Sequence, residues 1–246
     1  MKRIELFGCP MDAVTMDETV AWISTRIAEK QFTQHVVVNV AKLVNMQTDS
    51  ELAASVRACD IVNIDGMGVV WGARWLGHDV PERVTGVDLF GRLLADAAQK
   101  EFPVFLLGAT EVVVRRAAAE CLQRYPGLRM AGYHHGYFWN DEQAIVRRIH
   151  ESGARMLFVA IASPMKEVFI NRWKSELGVD FVMGVGGTFD VVAGKVQRAP
   201  VWMQNYGMEW LFRVVQEPGR MWKRYLFTNS RFALMLGKAW VSLHQR

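Results

Sequence analysis

The chain has 246 residues, of which 51% are hydrophobic and 22% charged. That is enough apolar material for one large α/β domain, alone or with a small appendage, and no segment is polar enough to stay disordered. A net charge of +4 and a pI of about 9.0 are too mild to imply nucleic acid by themselves, so the placement of the positive charge matters more than its sum.

Along the chain, apolar runs with strand character alternate with amphipathic stretches. Strands are expected at Ile4–Cys9, His35–Asn39, Ile61–Ile64, Val104–Leu107, Arg129–Tyr133, Met156–Ile161 and Phe181–Val185. Several are apolar on both faces, as strands of a parallel sheet covered by helices are. Thr15 with Glu18 three residues on forms a capping box that opens a helix over Met16–Lys30. Further helices are expected over Asp49–Ala58, Met67–Leu76, Val87–Lys100, Glu111–Arg124, Asp141–Glu151 and Met165–Leu177. The alternation implies a layered, Rossmann-like α/β domain with a mostly parallel sheet over residues 1–192.

From about residue 190 the character changes. Lys195, Arg198, Arg213, Arg220, Lys223, Arg224, Arg231, Lys238 and Arg246 stand against only Glu209 and Glu217, with Trp202, Tyr206, Trp210, Trp222 and Phe227 among the interleaved aromatics. A helix over Met203–Gln216, a break at Pro218 and helical structure beyond it make 193–246 a basic, aromatic helical appendage. Met1-Lys2-Arg3 is followed by only a short apolar run, so no signal peptide is expected. The longest apolar stretch, Met156 to Ala162, falls far short of the ~20 residues of a membrane-spanning helix. The aromatic and basic tail can still lie on a bilayer surface.

In open α/β sheets, ligands bind at the carboxyl ends of the strands. Asn39 ends the second strand, Asp65-Gly66-Met67-Gly68 the third, and Gly184-Val185-Gly186-Gly187-Thr188-Phe189-Asp190 the last. The Gly66/Gly68 pair is a poor dinucleotide fingerprint, because Asp65 would set negative charge against a diphosphate. Asp65 suits a base facing a reacting hydroxyl, or it caps the following helix. Arg83, Thr85 and Asp88 combine a cation, a hydroxyl and a helix N-terminus, suited to phosphate or sugar hydroxyls; otherwise Thr85 is a cap and Arg83 solvated. Lys166 follows another strand end, as a ligand contact or a surface lysine. Arg220 and Arg224 share a helix face and can grip phosphate, or belong to an ordinary basic helix. Cys9, Cys59 and Cys121 lack ligand spacing and read as reduced core residues. His134-His135 and the absence of Asp-x-Asp give no indication of a metal, and no Gly-x-Ser-x-Gly elbow supports a hydrolase.

The ordered set of segments resembles the WecG/TagA/CpsF glycosyltransferases of bacterial surface-polysaccharide synthesis. The carrying segments are Val38-Asn39-Val40-Ala41-Lys42, Asp65-Gly66-Met67-Gly68, Arg83-Val84-Thr85-Gly86-Val87-Asp88, Phe105-Leu106-Leu107-Gly108, Gly132-Tyr133-His134-His135-Gly136-Tyr137-Phe138, Gly184 through Asp190, Arg198-Ala199-Pro200, and Gly207-Met208-Glu209-Trp210-Leu211 with Arg213, Glu217-Pro218 and Arg224-Tyr225. The resemblance implies a GT-E fold and an inverting, metal-independent enzyme without cofactor. Such an enzyme moves an N-acetylmannosamine-type sugar or glucose from a UDP-sugar to a sugar on undecaprenyl diphosphate, peripherally on the cytoplasmic face of the membrane. Carried over by position, Asp65 is the general base. Asn39, Arg83, Thr85, Asp88, Lys166, Gly186 and Asp190 contact substrate, and Arg213, Arg220 and Arg224 bind diphosphate. Two positions depart from the family pattern: Val37 replaces the usual Thr, and Lys166 stands where Gln is common. A lysine there favours an anionic donor such as a uronate, or adds a phosphate contact. Exposed apolar surface makes a homo-oligomer a further expectation. The competing class is a non-catalytic nucleotide- or RNA-binding module, which the lack of RNP or KH signatures disfavours.

Overall fold

The computed structural model describes residues 1–245, the side chains of Arg220 and His244 apart. Its centre is a six-stranded, all-parallel sheet in the order β4-β3-β8-β7-β5-β6: β3 (Thr33–Val38), β4 (Ile61–Ile64), β5 (Val104–Gly108), β6 (Met130–His134), β7 (Met156–Ala160) and β8 (Phe181–Gly184). The expected α/β layered fold with a mostly parallel sheet is therefore what forms.

Period-2 alternation sorts the strand residues onto two faces. Val104 and Leu106 of β5, with Met156 and Phe158 of β7, face one layer. That layer holds α1 (Met16–Ala28), α5 (Gly86–Lys100), α6 (Glu111–Arg124) and α9 (Thr188–Val192). Phe105, Leu107, Leu157 and Val159 face the other, where α7 (Glu142–Glu151) and α8 (Met165–Trp173) pack. Near β3 and β4, the covering elements are α2 (Val40–Asn45), α3 (Ser50–Arg57) and α4 (Met67–Trp75). The capping box read from Thr15 and Glu18 opens α1: each side chain bonds the other residue's backbone N–H.

The first expected strand, Ile4–Cys9, is instead a hairpin. β1 (Arg3–Leu6) pairs antiparallel with β2 (Cys9–Asp12) outside the main sheet. Phe7 and Gly8, at φ 54° and 72°, make the two-residue turn. Both central residues lie in the left-handed region, which matches the strand twist. The reversal leaves no mark on the apolar pattern because Phe7 occupies a position usually held by Asn or Asp.

Beyond β8 come α10 (Val201–Asn205), α11 (Glu209–Gln216) and α12 (Pro218–His244). The helix expected over Met203–Gln216 is two helices, broken at Gly207 (φ 68°). A Cβ there would lie 2.6 Å from Met67 Cβ, so the glycine lets this turn press onto α4. Pro218 opens α12, where its missing N–H costs no helix bond. The helix packs on α2 and sends Phe232, 5% exposed, into the core beside Phe7. All three cysteines are buried and free.

Candidate active site

Val38 and Ile64 are register partners on β3 and β4, so the residues that follow them, Asn39 and Asp65, emerge side by side at the carboxyl edge of the sheet. The Asp65 N–H donates to Val38 O at 2.9 Å and fixes the turn. Asn39 caps α2, its Oδ1 accepting from the Lys42 N–H at 3.0 Å. Gly66 holds the corresponding position of α4 with no side-chain cap. The reading of Asp65 as a helix cap is thus excluded; the residue is partly buried and its carboxylate accepts a hydrogen bond from the Gly86 backbone. A Cβ at Gly66 would sit 3.4 Å from Asn39 Cβ, so glycine keeps the two loops in contact.

Asn39 and Asp65 form the floor of a cavity of about 540 Å³, walled by α4, α11 and α12. Arg83, Glu209, Arg213 and Arg224 complete its polar end, while Trp71, Trp75, Phe232, Ala233 and Leu236 line the rest. Burial pushes the Asp65 carboxyl up to about 6, with Glu209 adding to the shift; Arg83, Arg213 and a hydrogen bond with the Gly86 backbone oppose it. A carboxylate so placed is ionised at neutral pH yet more basic than an exposed one, as a general base needs to be.

The walls are held by an ion-pair chain. Arg83 Nη1 donates to Glu209 Oε2 at 2.6 Å and Nη2 to the Gln204 carbonyl at 3.4 Å. Glu209 Oε1 accepts from Arg198 Nε at 3.4 Å, and Arg198 grips Asp88 with two bonds of 2.5 and 2.7 Å. Asp88 Oδ2 also accepts from Thr85 Oγ1 at 2.5 Å, and Thr85 caps α5. Arg198 and Thr85 together hold the Asp88 carboxyl below its usual value against partial burial. A bidentate guanidinium–carboxylate pair is geometrically specific, so this chain sets where α11 lies over the site.

Of the residues singled out in the sequence, Asn39, Asp65, Arg83, Arg213 and Arg224 meet in the cavity wall. Arg220 lies outside the described residues as to its side chain. Thr85 and Asp88 stand behind the wall, in the ion-pair chain. Gly186 (φ 53°) and Asp190 lie past the end of β8, also outside the wall; Asp190 pairs with Lys195 at 3.1 Å.

Lys166 is neither a surface lysine nor part of the wall. It is 6% exposed and donates to Glu167 Oε1 at 2.7 Å, the same oxygen that Lys42 reaches at 2.8 Å. Its stem crosses Gly184, where a Cβ would fall 2.8 Å from Lys166 Cε. Burial, reinforced by Lys42 and Arg224, lowers the Lys166 ammonium to about 8 against the pull of Glu167. Burial alone would raise Glu167, but the two lysines override it and hold its carboxyl at about 2.

Sequence reasoning assigned no role to Glu209, Trp71, Trp75 or Arg198. Glu209 had a visible signal: it is one of two acids in a strongly basic stretch, the composition expected of an arginine partner. Among the described residues no group of three or more His, Cys, Asp or Glu is arranged to hold a metal ion. No helix among them is long and apolar enough to cross a membrane.

A family model described as the glycosyl transferase WecG/TagA/CpsF family matches residues 4–246. Two similar proteins, from Bacillus spizizenii and Bacillus subtilis, are both named N-acetylglucosaminyldiphosphoundecaprenol N-acetyl-beta-D-mannosaminyltransferase. The first is 35% identical over 173 residues, 70% of this chain and 66% of the relative. The second is 36% identical over 162 residues, 66% of this chain and 62% of the relative. In each case the chain spans a little under two thirds of the relative's length.

Proposed function

The chain belongs to the WecG/TagA/CpsF glycosyltransferase family, and from that premise we propose that it transfers a hexose-type sugar from a UDP-sugar to a polyprenyl-diphosphate-linked sugar, with inversion and without a metal. The relatives are named for N-acetylmannosamine transfer to an N-acetylglucosaminyl diphosphoundecaprenol, so those are the first substrates to test. Asp65 takes the proton of the acceptor hydroxyl. The oxygen attacks the anomeric carbon from the face opposite the leaving group, the bond to UDP breaks, and UDP departs with the electron pair. Arg213, whose charge acts on Asp65, stabilises the departing diphosphate as a fixed cation. Asn39 and Arg83 position the sugars.

The observation that carries this reading is a carboxylate raised to about 6 on the floor of a cavity that also holds Arg83, Arg213 and Arg224. Residues 193–246 act as an appendage that closes the site and rests on the inner face of the cytoplasmic membrane. In support, Trp202, Tyr206, Trp222, Leu226 and Phe227 are all exposed within the basic stretch, the composition of an interfacial surface.

The test is UDP release from a panel of UDP-sugars, with and without a short-chain polyprenyl-diphosphate GlcNAc acceptor, in EDTA. Acceptor-dependent release from one donor supports the reading. Release that requires added Mg²⁺ removes the metal-independent part. No release from any donor, with folded protein and lipid supplied, favours a binding module.

A further inference from the structure

The cavity is chemically divided along its length, and the division follows two helices. On α4, Met67, Trp71 and Trp75 recur every four residues, a single stripe about 12 Å long that begins beside Asp65. On α12, Arg224, Thr228, Phe232 and Leu236 likewise recur every four residues and line the same cavity. The two stripes run the same way. Gly72 allows Phe232 and Leu236 to approach within about 3 Å of where its Cβ would stand, and further on the Trp75 ring stacks on Trp240 at 6.1 Å and 10°. Both helices therefore pass from polar or reactive groups at one end to apolar rings and aliphatic chains at the other. Trp71 and Trp75 remain 53% and 54% exposed.

We propose that the groove between the Trp71/Trp75 stripe and the Phe232/Leu236 stripe holds the first isoprenoid units of the lipid that carries the acceptor sugar, with Arg224 at its neck facing the lipid's diphosphate. This deepens the transferase reading and rests on it for the identity of the lipid. The order of chemistry in the groove matches the order along such a molecule: a sugar hydroxyl at Asp65, a dianionic linker at a fixed cation, then hydrocarbon. A nucleoside fits the outer groove less well, because Phe232, Ala233 and Leu236 offer no donor or acceptor to a base edge. The assignment leaves Arg213, the nearer of the two arginines in its effect on Asp65, for the leaving nucleotide, so both diphosphates are held at once.

The test needs no turnover. Binding of a prenyl diphosphate series, from dimethylallyl to geranylgeranyl, is measured below the micelle concentration on the full chain. A benzophenone-bearing prenyl diphosphate is then photocrosslinked and the labelled peptides mapped. Affinity should rise at least about tenfold along the series, from apolar burial in the groove, and label should fall within 67–76 and 225–243. Excess UDP should leave the label in place, while excess unlabelled geranylgeranyl diphosphate removes it. In a Trp71→Ala/Trp75→Ala variant, whose lost rings are half exposed, the chain-length dependence should flatten, with circular dichroism confirming the fold. Affinity independent of chain length, label on the outer aromatic face of residues 202–222, or displacement by UDP alone would overturn the proposal. Prenyl binding as expected, with no sugar transfer from any donor, would refute the transferase reading and leave the groove standing.

Discussion

Arg83 and Glu209, 126 residues apart in the chain, meet at 2.6 Å in the wall of the cavity that contains Asp65. They act on Asp65 in opposite senses: Arg83 favours its ionised form and Glu209 its neutral one. The pair is at once a strut between the sheet edge and the C-terminal helices and a means of tuning the Asp65 carboxyl.

Glu209→Gln removes the negative charge that helps raise Asp65. The acid limb of kcat/KM, expected near pH 6 for the unmodified protein, should move to lower pH. A pH–rate profile of acceptor-dependent UDP release measures it. A limb that stays in place or moves upward would show that Asp65 does not govern the reaction.

Asp65→Asn should cut turnover by about 10²–10⁴-fold and at the same time stabilise the fold. The sign follows from linkage. Asp65 titrates near 6 when folded and near the ordinary carboxyl value of 3.8 when unfolded, so between those values the folded state holds more protons and stability falls as pH rises. Above pH 6 the asparagine variant should be more stable by about 3 kcal/mol, and the advantage should vanish below about pH 4. Urea denaturation at pH 4 and 7 checks it; equal stabilities at both would contradict the buried-charge account.

Glu167→Gln leaves Lys42 and Lys166 buried without their shared carboxylate, a loss of about 3–5 kcal/mol. Lys166→Gln should cost much less, since it leaves one Lys42–Glu167 pair. The pH dependence separates the partners. Glu167, held at about 2 against 4.5, contributes stability that is complete above pH 4.5 and lost as pH falls toward 2. Lys166, lowered to about 8 from 10.5, makes stability rise with pH across that interval, and Lys166→Gln should remove the rise. If Lys166 also selects anionic donors, Lys166→Gln should lower the rate with a UDP-uronate relative to UDP-glucose; an unchanged ratio would confine the lysine to the Glu167 pair.

If the exposed aromatics rest on a bilayer, Trp222→Ser/Phe227→Ser should weaken sedimentation with anionic vesicles by about tenfold or more, with little loss of thermal stability. Equal sedimentation of both proteins would refute that surface.

The fold was largely legible because its strands are apolar runs closed by turn residues, and the site because ligands gather at strand ends. That rule selected Asn39 and Asp65, which the register of Val38 with Ile64 makes neighbours, but it selected Gly186 and Asp190 equally, and those lie outside the cavity wall. The pairing of charges was not legible. Lys166 at the start of a helix looks solvated until Glu167 and Lys42 are seen to share an oxygen with it. Thr85 and Asp88 look like ligand contacts until Arg198, 110 residues after Asp88, is seen to grip Asp88, which in turn accepts from Thr85. Local spacing encodes helices, caps and strands; it carries no signal for ion pairs formed between distant segments. Even a local event escaped when its residue was unusual, as with Phe7 in the hairpin turn.

That α11 and α12 wall the cavity also has a consequence in time. At 5–20 residues per second, synthesis of the 126 residues between Arg83 and Glu209 takes roughly 6–25 s. Throughout that interval a growing chain already holds Asn39 and Asp65 but no cavity around them. The complete cavity thus exists only in a chain that has left the ribosome far enough to fold α11 and α12.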